Sequence, residues 1–454
     1  MDGLASEVHT DVTQVAHGRP AWRRKIASPL TVAGLVLLFY VGLTLVSFRA
    51  GMAVTDYALV AAKFAHQSTA SSVITFDANF RYSPGGYDGQ FYYFIALDPE
   101  KARYYVDNPA YRYERILYPL VARSLALGQP ALIPYMLILA NILAISGGTL
   151  LLAYWLRRRG VSPWLALIYG LFSGLLVAYQ RDLTEPLGYG LVILAVCCFD
   201  FSRRRALWAG LCFGLAALSR EITLLFALPY AVALLLAPLE ASGTDDMEAE
   251  KAPADEQKRK SPSLTSLERI TQRAFERLKE GITRNWRPVA LMAVLAAGPY
   301  LVYKGFLLVW LGSSGMTANL PPNLLPFSGL VAMLPPRPDT LMQLMIVCAP
   351  GLVCFVLALW VVLHRSASAS VEIWALLLNA TFLVVMLRPV WYVEPSPATT
   401  RLGTGIVLAA LLSVPAFDTL LQRDRRWLAV CAPAWLGYTC LFLGALIAPL
   451  LTHL

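Results

Sequence analysis

Arg205-Ala-Leu-Trp-Ala-Gly-Leu-Cys-Phe-Gly-Leu-Ala-Ala-Leu-Ser219-Arg220-Glu221-Ile-Thr-Leu-Leu-Phe-Ala-Leu-Pro-Tyr-Ala-Val-Ala-Leu-Leu-Leu-Ala-Pro238 carries, after its first residue, charges only at Arg220 and Glu221. Read as one helix it would run about 50 Å, whereas the apolar part of a bilayer is about 30 Å thick. One helix would also place the basic segment 239–287 outside, opposite the basic clusters that precede it. Two short helices, near 205–219 and 222–238, meeting at Ser219-Arg220-Glu221, resolve both conflicts. The break then leaves Arg220 and Glu221 near membrane depth, where charges are costly and usually line a polar cavity.

Working outward, eleven apolar runs are candidate spans: 29–48, 131–156, 162–179, 186–201, 205–219, 222–238, 288–312, 340–363, 370–387, 402–420 and 427–449. If each crosses, Arg23-Arg24-Lys25, Arg157–Arg159, Arg203–Arg205, 239–287, His364-Arg365 and Arg423–Arg426 share one side. That side is expected to be cytoplasmic. The order is then a cytoplasmic tail (1–28), a first transmembrane helix (29–48), a large extracytoplasmic loop (49–130), helices two to six (131–238), a cytoplasmic loop (239–287) and helices seven to eleven (288–454). The composition agrees: of 454 residues 57% are apolar and 15% charged, with mean hydropathy +0.56, against about 25% charged in soluble domains. The fold class expected is an all-α polytopic membrane protein, multi-pass in a plasma membrane, with its N-terminus cytoplasmic.

Several classes fall away. The net charge of +9 sits in short clusters between apolar runs, which sets orientation and leaves no nucleic-acid surface. All seven cysteines lie in apolar runs without Cys-x-x-Cys spacing, so neither a disulfide frame nor a zinc site is indicated. The first apolar run has no small-residue cleavage site after it and reads as a retained span. No nucleophile elbow, Walker loop, His-Glu-x-x-His pair or dinucleotide glycine motif occurs.

Two segments are not simple spans. In 49–130, Tyr111–Leu127 has an apolar face broken by Arg112, Arg115 and Arg123, and reads as an interfacial helix lying on the outer leaflet. In 239–287, the first half is poor in apolar residues and reads as disordered, and Ser263–Ile282 as an amphipathic helix. On this topology the outer boundary collects Asp56, Asp77, Asp88, Asp98, Asp107, Glu114, Arg112, Arg115, Arg181-Asp182, Glu185, Arg220-Glu221, Arg388–Glu394 and Arg401. Arginines suit a phosphate-bearing lipid, because the guanidinium fork grips phosphate at two points. A carboxylate among them can take the proton of an attacking hydroxyl.

Tyr87-Asp88-Gly89-Gln90-Phe91-Tyr92-Tyr93-Phe94-Ile95-Ala96, followed by Arg115-Ile-Leu-Tyr118-Pro119-Leu120, resembles the first outer loop of the PIG-V-like mannosyltransferases. That family shows Trp-Asp-Gly-x-His-Tyr-x-x-Ile-Ala and then Phe-Phe-Pro-Leu-Tyr-Pro. Leu183-Thr184-Glu185-Pro186-Leu187 and Leu215-Ala-Ala-Leu-Ser219-Arg220 are similar to its Ser-Glu and Leu-Thr-Arg segments. Tyr87 stands for the usual Trp, Phe91 for the usual His, and Glu221 follows the arginine, so acceptor and sugar can differ from the family's. The resemblance covers mainly residues 85–225 and implies a GT-C glycosyltransferase. Its donor would be a polyprenyl-phosphate sugar and its acceptor an extracytoplasmic glycan, lipid or protein. It further implies Asp88 as the catalytic base of an inverting displacement. With that family in view, Arg112, Arg115, Arg220 and Arg401 are the expected donor-phosphate ligands, and Tyr87, Gln90, Tyr92, Glu185 and Glu221 the expected substrate contacts.

Plainer readings stand beside these. Gly85-Gly86-Tyr-Asp-Gly89 is good turn chemistry by itself. Asp56 can cap a helix. Arg112 and Arg115 can snorkel from an interfacial helix. Arg220 can pair structurally with Glu221 or Glu185. Glu185 can be ordinary first-turn helix chemistry before Pro186, and Arg401 can mark the end of a span. Tyr92, Tyr93, Tyr104, Tyr105 and Tyr111 can form an interface belt or stack on a sugar. The five histidines are scattered, with no metal cluster, though a divalent cation shared by Asp88 and another acid stays open. The competing function is a transporter or flippase of a lipid-linked or small polar substrate. It would be expected to carry charges near the midplane in repeated halves, and no matching halves are visible.

Overall fold

The computed structural model describes residues 28–65, 80–236, 266–315, 325, 328–331, 349–365, 369–386, 398–421 and 424–451. The tail 1–27, His66, Asp77, the first half of 239–287 and Arg388–Glu394 lie outside the described residues. Those described are helical, without strands beyond a single bridge between Ala61 and Ser83. Among the described residues five helices are long and apolar enough to cross a membrane, as in a multi-pass membrane protein: Pro29–Arg49, Pro130–Arg158, Thr283–Leu311, Thr400–Leu420 and Arg426–Gly444. A pair bent by 46°, Pro163–Gly170 with Ser173–Gln180, makes a sixth if it counts as one span. Arg205–Ser219, Glu221–Leu236, Ala349–His364 and Val371–Val385 are apolar but shorter.

α1 (Pro29–Arg49) starts where Ser28 accepts the amide of Thr31 and Pro29 takes the first turn. In the loop after it, α2 (Gly89–Leu97), α3 (Pro109–Tyr113) and α4 (Leu117–Leu125) are short. α5 (Ile133–Arg158) ends on Arg157 and Arg158, cations that complement a helix C-terminus. α6 (Glu185–Phe201) and α7 (Arg205–Ser219) follow the bent pair. Arg220 is extended (φ −154°), and the chain resumes as α8 (Leu224–Leu236). The side chain of Asn285 donates to the carbonyl of Leu235 (3.0 Å), whereas Ser219, at the other end of α7, donates to the carbonyl of Thr184 (3.1 Å). Arg115 of the first loop donates to Glu221, so the turn at Ser219–Glu221 lies at the end of the bundle that carries that loop.

α9 (Ser266–Leu311) packs against both α7 and α8. It approaches so closely that a Cβ on Gly214 would stand 2.2 Å from the Leu295 carbonyl oxygen. Small residues let helices associate where apolar burial gives no driving force. α10 (Ala349–Arg365), α11 (Val371–Met386) and α12 (Thr404–Leu420) complete the bundle with the C-terminal helix Arg426–Leu451. At the end away from the loop, Asp200 accepts from Trp155 and Arg159, both at 2.6 Å, and Arg159 also faces Glu372 at 4.0 Å.

The loop 49–130 corrects one expectation. No continuous interfacial helix covers Tyr111–Leu127; the segment breaks at Glu114–Ile116 into α3 and α4. Arg112 and Arg115 do not snorkel outward but are buried, because carboxylates wait for them inside. Arg123 donates to the carbonyls of Ala96 and Leu97, closing the C-terminus of α2. The apolar outward edge survives at Leu120, Leu125 and Leu127, the last 82% exposed. Phe91, Tyr92, Phe94, Ile95, Tyr105 and Tyr118 pack with Leu137 of α5 and Leu307 of α9 into a second apolar core. Tyr92, Tyr93 and Tyr105 are thus core residues, not an interface belt, and Tyr104 stays exposed.

Lys304 of α9 ties this loop down. Its ammonium pairs with the buried Glu114 and donates to the Ser314 carbonyl at 2.6 Å. Removing one partner of a buried pair strands the other charge and costs about 3–5 kcal/mol. Lys304→Met is expected to lower the thermal unfolding midpoint of detergent-purified protein markedly, and a second change, Glu114→Gln, to restore part of the loss. A Lys304→Met protein as stable as wild type would contradict this.

Candidate active site at the loop end of the bundle

Asp88 is presented by a pinned turn. The amide of Ser83 donates to the Val60 carbonyl (2.7 Å), that of Tyr87 to Leu59 (3.1 Å), and that of Ala61 to Oε1 of Gln90 (2.9 Å). Gln90 thus spends its amide oxygen on the backbone below the turn. Gly89 is required on steric grounds: a Cβ there would stand 1.9 Å from the carbonyl oxygen of Arg181. Asp88 precedes α2 but makes no capping hydrogen bond with it. Its carboxylate turns to guanidiniums instead, Oδ1 to Nη1 of Arg112 at 2.9 Å and Oδ2 to Nη1 of Arg401 at 3.5 Å.

From there a chain of ion pairs spreads. Arg401 also faces Glu185 at 3.7 Å, and the same Glu185 oxygen, Oε1, forms an ion pair with Nη1 of Arg220 at 3.0 Å. Next to Arg220, Glu221 receives Arg115 through both oxygens (2.8 and 3.0 Å). Glu185 opens α6, where the helix dipole favours a carboxylate, and it is fully buried. Asp88 keeps 24% of its side-chain area exposed. The partial burial of Asp88 works to raise its pKa, but Arg112 and then Arg401 outweigh that and hold it at about 2. Because the folded value is depressed, the pairing stabilises the fold above the ordinary carboxylate range. That contribution is lost as pH falls toward 2.

The four arginines are not alike. Arg112 is saturated: Nε and Nη2 grip both oxygens of Asp107 at 2.7 Å, Nη1 takes Asp88, and the plane lies 4.3 Å from the Phe91 ring centre. Arg115 is saturated too, since besides Glu221 it donates to the hydroxyls of Tyr92 (3.3 Å) and Tyr111 (3.0 Å). Arg220 and Arg401 are held more loosely. The Nε of each lacks a hydrogen-bond partner among the described residues, and the contacts of Arg401 are beyond good hydrogen-bond length. Arg401 lies over the Tyr87 ring at 5.1 Å. Arg181, whose backbone abuts Gly89, has a Nε equally without a partner among the described residues and acts electrostatically on Tyr87.

Every residue expected for the site therefore lies in or beside one cluster, with different work for each. Asp56 does not join it, its carboxylate accepting the local amide of Ala53 (2.7 Å). Asp107, the clamp on Arg112, and Arg181 are the additions. Asp107 had a signal, an acid five residues before Arg112 in a Pro-containing turn, and Lys304 had one as a lone lysine in an apolar run. Asp182 is fully buried, with φ +48° and with both carboxylate oxygens lacking a hydrogen-bond partner among the described residues; burial pushes its pKa up. Among the described residues no three His, Cys, Asp or Glu side chains form a metal-holding group. Each oxygen of Asp88 faces a guanidinium, not a second acid. Comparison with family models, curated proteins and solved structures finds no match for this chain.

Proposed function

We propose that this chain is an integral-membrane glycosyltransferase of GT-C type with eleven crossings. It would move a sugar from a polyprenyl-phosphate donor to an acceptor glycan, lipid or protein on the extracytoplasmic face of a plasma membrane. The observation that carries the reading is the meeting of Asp88, Arg401, Glu185 and Arg220, from four separate parts of the sequence, in one largely buried group. Guanidiniums with unused donors suit a lipid phosphate, and the partly exposed carboxylate suits an acceptor hydroxyl. The chemistry is a single inverting displacement. The acceptor O–H bond breaks with its proton passing to Asp88, the acceptor oxygen bonds to the anomeric carbon, and the bond from that carbon to the phosphate oxygen breaks, its electron pair leaving with the phosphate.

Arg220 and Arg401 are assigned to the donor phosphate, while Arg112 and Arg115 position Asp88 and the α3 turn. Tyr87 is assigned to the substrate beside Arg401. Gln90, Tyr92, Glu185 and Glu221 hold the turn and the arginines. The likeness of Tyr87–Ala96 to the PIG-V-like loop makes mannose the first sugar to try. A transporter is not favoured: Glu185 and Asp200 mark separate ion-pair clusters near opposite ends of α6, about 22 Å apart at the rise of a helix, where a carrier would bind near the midplane.

The test supplies purified protein and membrane extract with radiolabelled polyprenyl-phosphate mannose, glucose and galactose, and in parallel the nucleotide forms of the same sugars. Label is expected to enter an acceptor from one lipid-linked donor and from no nucleotide donor. Transfer from nucleotide sugars, or from none of the donors, would overturn the proposal.

A further inference from the structure

At the loop end, the four guanidiniums of Arg112, Arg115, Arg220 and Arg401 are matched by the four carboxylates of Asp88, Asp107, Glu185 and Glu221. Arg181 adds a cation outside these pairs. Asp182 beside it is buried outside the pairs as well, and the proposed donor brings a singly charged phosphodiester for the guanidiniums to meet. Transfer changes that demand. The phosphodiester becomes a doubly charged phosphomonoester as the acceptor proton neutralises Asp88. The total charge is conserved, but one negative charge has moved from Asp88 to the leaving phosphate. An uncompensated anion in so enclosed a site would be costly, so a guanidinium has to follow the charge.

The geometry identifies which one can. Arg112 is locked by its two-point grip on Asp107, and Arg115 by Glu221 and two tyrosines. Arg401 touches Asp88 at 3.5 Å and Glu185 at 3.7 Å, with its Nε unused among the described residues. Resting on the proposed use of a phosphate-lipid donor, we infer that Arg401 is shared between Asp88 and the donor phosphate. It neutralises the carboxylate while the site is empty and turns to the phosphate as the sugar leaves. Oδ2 of Asp88 is then freed from Arg401 only when a donor is in place, while Arg112 stays on Oδ1, which couples proton removal from the acceptor to donor occupancy. Arg112, Arg115 and Arg220 are the other charged groups acting on Asp88. Of these, Arg220 keeps a 3.0 Å ion pair with the fully buried Glu185, closer than either carboxylate contact of Arg401.

The competition is read by binding alone. Farnesyl phosphate, a short prenyl monophosphate, serves as the probe in calorimetric titrations of detergent-purified protein. Asp88→Asn removes the competing charge, and its affinity for the probe is expected to rise on the order of tenfold, within the usual range of coupling between sites. Asp88→Ala should give the same gain. In an Arg401→Lys background the gain should largely vanish, because the two side chains act as one unit. If wild type binds the probe and neither Asp88 variant binds it more tightly, or the gain persists in Arg401→Lys, the shared-arginine mechanism is overturned while the phosphate site stands. If neither wild type nor the variants bind the probe, the donor reading itself fails and the inference with it.

Discussion

Asp88→Asn is expected to lower sugar transfer by about 100- to 10,000-fold, the contribution of a positioned general base, while the protein stays folded and monodisperse. Asparagine keeps the shape of the side chain and a carbonyl oxygen that Arg112 can still reach. It cannot accept the acceptor's proton. The surroundings do not depend on the charge for their order, because Arg112 remains clamped by both oxygens of Asp107 and Arg401 retains Glu185. Loss of activity together with loss of folded protein would point to a structural ion pair instead. Full activity in the variant would remove Asp88 from the base role.

Gly89→Ala is expected to have the second largest effect, and by a different route. The added methyl would stand 1.9 Å from the carbonyl oxygen of Arg181, a backbone atom that cannot swing aside as a flexible side chain can. Forcing atoms into a packed site typically costs 1–3 kcal/mol and occasionally more; a backbone clash of this kind should reach about 3 kcal/mol or above. The turn carrying Asp88 would have to separate from the Arg181–Asp182 turn, taking the carboxylate away from Arg401. Either the unfolding midpoint falls sharply or folded protein survives without transfer activity. A variant with both wild-type stability and wild-type turnover would show that this close approach is not needed.

The helices were legible in the sequence because a bilayer leaves the backbone few options. Apolar runs must satisfy their own hydrogen bonds, and the break at Ser219-Arg220-Glu221 follows from the length of the run, the side of the next basic segment and the charges at Arg220 and Glu221. Which charges converge was legible only as a side of the membrane. Who pairs with whom was not, since Arg115 and Glu221 are 106 residues apart in sequence and meet only through the packing of α7 against the loop. The segment Tyr111–Leu127 misled for a physical reason. Amphipathic spacing reports that two faces differ, but not whether the polar face looks to water or to buried carboxylates. Here Asp88, Asp107 and Glu221 draw Arg112 and Arg115 inward and split the helix. The tyrosines of α2 misled likewise, because aromatic enrichment fits a membrane belt and a folded loop core equally.

One measurement bears most directly on transfer at this cluster. Purified protein in liposomes is given a polyprenyl-phosphate sugar labelled in both the sugar and the lipid, together with acceptor membranes. The account predicts that free polyprenyl phosphate appears in step with labelled acceptor, one for one, and that both stop in Asp88→Asn. Intact donor crossing the bilayer, with no polyprenyl phosphate released, would contradict it and make the chain a carrier.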